Sequence, residues 1–113
     1  MQLNVSAEVI LSQLGYSHNE ASLNQAQKAI DSTKGYEKFA KHILTLNDQI
    51  KKMNAYVALS NSNNYFKIKC DENDAKEIIE EFHETVLHWA KKYNVDVERV
   101  NKKPTYYILG INS

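Results

Sequence analysis

From Tyr36 the apolar residues recur at alternating steps of three and four: Tyr36, Phe39, Ile43, Leu46, Ile50, Met53 and Val57. Such a seam falls on one side of a chain only if the chain is helical, so a long helix is predicted from Tyr36 to about Val57. The seam resembles a coiled-coil interface, with isoleucine or valine at most of one position and Phe39, Leu46 and Met53 at the other. Its flanks do not. Ala40, Asn47 and Asn54 on one side and His42, Gln49 and Tyr56 on the other offer no charge pairing. The seam therefore packs either within its own chain or against a second copy in a homodimer.

The polar run Ser60 to Asn64 ends this periodicity, because short polar side chains compete for backbone hydrogen bonds and favour turns. Beyond it, Tyr65 to Cys70 alternates. Phe66, Ile68 and Cys70 share one face and Tyr65, Lys67 and Lys69 the other, the pattern of a half-buried strand. Asp71 is placed to cap a helix over Glu72–Tyr93, whose Ala75, Ile78, Ile79, Phe82, Val86, Trp89, Ala90 and Tyr93 lie on one arc. Leu87 alone among its apolar residues falls on the polar side. At about 1.5 Å per residue this helix spans about 33 Å, against about 20 Å for a six-residue strand. It must overhang its sheet, and the seam helix is the natural cover.

Upstream, Ser6 can cap a short helix to about Leu14, which Gly15 ends. Ser17 and Glu20 have capping-box spacing for a second helix to about Asp31, with Leu23, Ala26 and Ile30 inward. Downstream, Val95 and Val97 alternate with Asp96 and Glu98, Asn101 to Pro104 reads as a turn, and Thr105 to Ile111 is rich in β-formers. A terminal hairpin is predicted; the competing reading continues the helix to about Val100. The expected fold is α+β: about three N-terminal helices, then a small sheet of two or three strands in β-α-β-β order on one long amphipathic helix. Residues 1–113 make one domain, with a helical half over 1–59 and a strand-helix-strand half over 64–111.

With 113 residues, 42% of them hydrophobic and 25% charged, the chain can build one packed core without staples. Cys70 is the only cysteine, the start of the chain lacks the pattern of a secretory signal, and no apolar run is long enough to span a membrane. A cytoplasmic protein is expected, with no membrane contact. Arg99 is the only arginine and asparagine is frequent, the bias of an AT-rich, bacterial genome. Fourteen basic and fourteen acidic residues give zero formal net charge, so no long-range field draws the chain to nucleic acid or anionic lipid.

Several residue groups could carry chemistry. Glu80 and His83 have Glu-x-x-His spacing, and Glu84 and His88 are one turn apart, an arrangement that can aim metal ligands from a helix. Carboxylate-bridged bundles need further ligands on facing helices, and these residues lie opposite the apolar arc. A solvated charged face explains them better, so no metal and no cofactor is assigned. Cys70 precedes a helix N-terminus, but acids follow it and its strand position turns it inward, which suits an inert thiol. Gly15, Gly35 and Gly110 are isolated and form no phosphate-binding loop.

Nucleic-acid binding is the weaker of the non-enzymatic readings. The helix–turn–helix spacing around Gly15 leads into a second helix that begins His18-Asn19-Glu20, poor in cationic side chains. Lys102 and Lys103 beside Tyr106 and Tyr107 could meet phosphates and bases, but turn lysines and strand tyrosines explain them equally. Protein interaction draws on more features: the seam, the exposed Leu87, and Tyr106 and Tyr107 on a terminal strand that could pair at a sheet edge. The expectation is a small non-enzymatic interaction or adaptor protein, homodimeric through its helical half or sheet edge. A metal- or ligand-dependent enzyme using Glu80, His83, Glu84 and His88 is the alternative, and weak nucleic-acid binding the second.

Overall fold

The computed structural model describes residues 6–60, 64–100 and 102–111. The chain is α+β, with helices α1 (Ala7–Leu14), α2 (Glu20–Ser32), α3 (Tyr36–Ile50) and α4 (Lys76–Tyr93) and strands β1 (Ala55–Leu59), β2 (Phe66–Cys70), β3 (Val95–Arg99) and β4 (Thr105–Ile111). All strand pairs are antiparallel, in the order β1-β2-β4-β3. The expected sheet gains a strand, and the order of its second half becomes β-β-α-β-β.

The added strand comes from the end of the seam. α3 stops at Ile50, Lys51–Met53 tighten into a 3-10 turn, and Asn54 adopts a left-handed backbone (φ 55°) that no helix can continue through. Beyond Asn54 the pattern has period two, Ala55, Val57 and Leu59 inward and Tyr56 outward, and the seven-residue step from Ile50 to Val57 suits either period. All seven seam residues are buried inside this one chain. The seam is consumed by the core of its own chain.

At the N-terminal end the structure follows local capping chemistry. Ser6 Oγ accepts from the Val9 amide (3.4 Å), and Gly15 (φ 84°) closes α1 in the left-handed conformation. The box expected from Ser17 and Glu20 does not form. Asn19 caps α2 instead, its Oδ1 accepting from the Ser22 amide at 2.8 Å, since a carboxamide oxygen does the same work two residues later.

α4 begins at Lys76 rather than Glu72. The Asp71 carboxylate is spent on an Asx turn, accepting from the Asn73 amide at 2.9 Å, and the Asp74 amide donates to the Asp71 carbonyl in a tight turn before the helix starts. Its 18 residues reach about 27 Å at the usual rise. No single long helix organises the fold, because α3 and α4 share the sheet. The Trp89 indole N–H donates to the His42 carbonyl (3.0 Å), the Trp89 ring meets the edge of Phe39, and His42 stacks on Tyr93 at 3.8 Å. Thr105–Ile111, expected at an edge, is an interior strand with β2 on one side and β3 on the other. The reading that gives Val95–Arg99 to a strand rather than to a helix extension holds. Residues 61–63 of the polar breaker and position 101 of the second turn lie outside the described residues.

One core collects Ile10 and Leu11, Ala26 and Ala29, the α3 seam, Phe82, Val86 and Trp89, and only one parity of β1, β2 and β4: Val57 and Leu59, Phe66, Ile68 and Cys70, Tyr106 and Ile108. All four helices therefore contribute to the core on that one side of the sheet, and the described residues leave the opposite side uncovered.

The helical half is stitched to the sheet by backbone. The Ile111 amide donates to the Lys34 carbonyl (2.7 Å), and Lys34 bridges Gly110 beside a bulge where Asp96 and Val97 oppose Gly110 and Ile108. Gly110 has φ 136°, and a Cβ there would lie 2.5 Å from the Lys34 nitrogen and 2.7 Å from its carbonyl oxygen. Neither backbone can retreat without breaking the bridge. Gly110→Ala is expected to cost on the order of 2–4 kcal/mol from the disfavoured backbone and the overpacking together. Urea unfolding measures it, and a midpoint equal to wild type would contradict this account.

Candidate functional site

Strand alternation decides what the uncovered face carries. Phe66, Ile68 and Cys70 fill the core, so Lys67 and Lys69 of β2 must point the other way. The register then sets their neighbours: Lys67 lies between Ala58 and Tyr107, and Lys69 between Tyr56 and Thr105. Tyr65 leans on Tyr107 with ring centroids 5.8 Å apart and a 41° tilt, and Tyr56 is 46% exposed. Beneath these longer side chains Ala58 and Thr105 are buried although they belong to the uncovered face.

A shallow concavity of about 170 Å3 opens here, with Lys67, Lys69, Lys103, Thr105 and Tyr107 among its lining. Glu72 reaches its margin, yet among the described residues no carboxylate comes within ion-pair distance of Lys67, Lys69 or Lys103. Acids gather instead toward β3, where Glu98 pairs in register with Tyr107 and Asp96 with Gly110. The face thus runs from a cationic and aromatic strip over β1, β2 and β4 to an acidic margin on β3. The Lys103 end is held by Arg99, whose guanidinium donates to the carbonyls of Lys103 (3.0 Å) and Lys102 (3.2 Å).

The tyrosine pair singled out in the sequence is split by the pleat. Tyr107 belongs to the uncovered face, whereas Tyr106 is 4% exposed, faces α4, and has its hydroxyl 2.7 Å from His83 Nδ1. Tyr106 is a core residue and not part of an interaction surface. His83, expected to face water, turns half-buried toward the sheet, because it follows Phe82 and borders the buried arc. Burial, aided by the Arg99 charge, lowers its pKa, and burial raises that of the Tyr106 phenol. With the imidazole neutral, the phenol can donate to Nδ1.

The remaining metal candidates go elsewhere. Glu80 is exposed, while Glu84 and His88 line a groove of about 530 Å3 between α3 and α4 with Thr45, Gln49, Trp89 and Tyr93. Among the described residues no three His, Cys, Asp or Glu side chains converge to hold a metal. Leu87 is 52% exposed on α4, with no described apolar residue of comparable exposure next to it on that helix. Cys70 is buried, its thiol directed at the Met53 carbonyl (3.5 Å), and burial together with the Asp74 charge pushes its pKa up, away from thiolate.

Lys67, Lys69, Tyr65 and Tyr56 escaped the sequence reading as site residues. Their alternation was visible, but nothing in the chain order says that β2 lies beside β4. No family model, known protein or solved structure matches this chain, so the geometry carries the functional argument alone. No helix among the described residues is long and apolar enough to cross a membrane.

The lowered imidazoles give a pH dependence. His83 and His42 both titrate below the ordinary 6.5, His42 through burial and then the Lys41 and Lys92 charges. Between the folded and unfolded values the unfolded chain binds more protons, so stability is full above 6.5 and declines as pH falls through that value toward the folded ones. The melting temperature is expected to drop on acidification through this range, and His83→Gln to shallow the slope. An unchanged slope in the variant would remove His83 from the account.

Proposed function

We propose that the protein is a cytoplasmic, non-enzymatic binding module that holds an anionic partner on the uncovered face of its sheet. The observation that carries this is the set of three lysines, Lys67, Lys69 and Lys103, that line one concavity with Tyr107 and, among the described residues, form no ion pair with the Glu72 that shares it. Exposed lysines commonly splay into water. Here two of the three rise from an interior strand, so backbone pairing holds their stems about 7 Å apart, and Arg99 braces the turn that carries the third. A rigid cationic platform is a binding surface in search of negative charge. The groove holding Glu84 and His88 supports the enzyme alternative less well, because it lacks a converging ligand set and an activated nucleophile.

Chemical-shift mapping with polyanions of different backbone tests the proposal. Heparin oligosaccharide, polyglutamate and an oligonucleotide are titrated in turn, and at least one should move the resonances of Lys67, Lys69 and Tyr107 while leaving Leu87 and His88 still. The double variant Lys67→Glu, Lys69→Glu should abolish the response. Shifts confined to the α3–α4 groove would sink the proposal.

A second reading, self-association, is favoured by a difference between the two sheet edges. On β1 two of the outward amides are sealed: Val57 donates to Asn47 Oδ1 (2.8 Å) and Leu59 to the Tyr16 hydroxyl (3.1 Å). Among the described residues nothing pairs with the outer edge of β3. Two copies joined antiparallel through β3 would form one continuous sheet. Sedimentation at micromolar concentration is expected to show a dimer; a monomer throughout would reject this reading and leave the first intact.

A further inference from the structure

We infer that the anionic partner is single-stranded nucleic acid, with its bases against Tyr107, Tyr65 and Tyr56 and its phosphates over Lys67, Lys69 and Lys103. This rests on the reading of the uncovered face as the binding site, and adds what that site recognises.

Charge and ring are paired across the strands of this face. The register sets Tyr107 beside Lys67 and Tyr56 beside Lys69, so each cation of β2 has an aromatic neighbour on the adjacent strand. Phosphate and base alternate in the same way along a polynucleotide. A purely acidic peptide would use the lysines and leave the rings idle, whereas bases have π faces that stack on tyrosine.

Shape selects the single strand. Bases of a duplex are stacked on one another and closed to side-chain rings, whereas an unpaired strand can lay its bases on tyrosines. Among the described residues the platform is a pleated surface with no helix or ribbon rising from it to enter a groove. Glu98 and Asp96 on β3 repel a phosphate backbone, which confines the strand to the strip over β1, β2 and β4. Zero net charge removes long-range attraction, so binding depends on local contacts and stays weak.

Fluorescence anisotropy of the full chain with a labelled ten-nucleotide oligothymidylate gives the test. Three phosphate contacts predict a slope of log affinity against log salt of about −2, and Lys67→Ala with Lys69→Ala should bring it to about −0.7. Tyr107→Ala should weaken binding on the order of tenfold at constant slope, through the lost stacking, while Tyr107→Phe keeps the affinity. Amide-shift dispersion of each variant confirms folding. A duplex of the same length binding as tightly, or Tyr107→Ala leaving affinity unchanged, would overturn the inference. Polyglutamate binding with no oligonucleotide binding would overturn it while the binding face stands. If no polyanion binds at all, the face itself is not the site.

Discussion

Four residue pairs between β2 and β4, Phe66 with Ile108 through Lys69 with Thr105, join two hairpins into one sheet. Without them the 55–70 hairpin and the 95–111 hairpin would each be a two-stranded ribbon, a structure of marginal stability in water. The pairing also sets the inner face, since it aligns Phe66 with Ile108 and Ile68 with Tyr106 under α3 and α4. It sets the outer face by the same pleat: whatever fixes Ile68 inward fixes Lys67 and Lys69 outward, one strand from Tyr107. Core and candidate site are two sides of one register.

The helices complete this arrangement on one side only. α4 lies over β2 and β3 and α3 over β1 and β4, and the Trp89 indole ties the pair together through the His42 carbonyl. α1 and α2 add a second contribution: the loop between them brings Tyr16 to the β1 edge, where its hydroxyl meets the Leu59 amide, while Asn47 from α3 meets Val57. These two edge amides, which could template another chain, are satisfied internally. Among the described residues, what the sheet leaves open is one face and the charged edge of β3.

Much of the local structure was legible in the chain. Ser6 and Gly15 bound α1 as helix capping rules require, and Phe66, Ile68 and Cys70 face inward as their alternation requires. The misreadings share a cause. Val57 sits seven residues beyond Ile50, a step compatible with a helical seam and with a strand whose inward residues are Ala55, Val57 and Leu59. Only the left-handed Asn54 separates the two, and asparagine tolerates that conformation without demanding it. Asp71 could cap a helix or close an Asx turn with equal local chemistry, and the turn wins because the Cys70 amide is held by the Pro104 carbonyl as β2 ends.

The candidate site was legible only in fragments. Lys103 and Tyr107 stood out together because they are close in sequence, and Tyr106 was grouped with them for the same reason until the pleat separated it. Lys67 and Lys69 belong to the same surface from 34 to 40 positions away, a distance that no local pattern bridges. The sequence by itself determined the period of most elements, the cap and stop of α1, the inward side of α3 and β2, and a charge balance that excludes long-range steering. Tertiary structure alone decided which strands are neighbours and which side the helices cover, because both follow from long-range backbone pairing and from filling a single core. Periodicity says which residues share a face; only packing says what lies across from it.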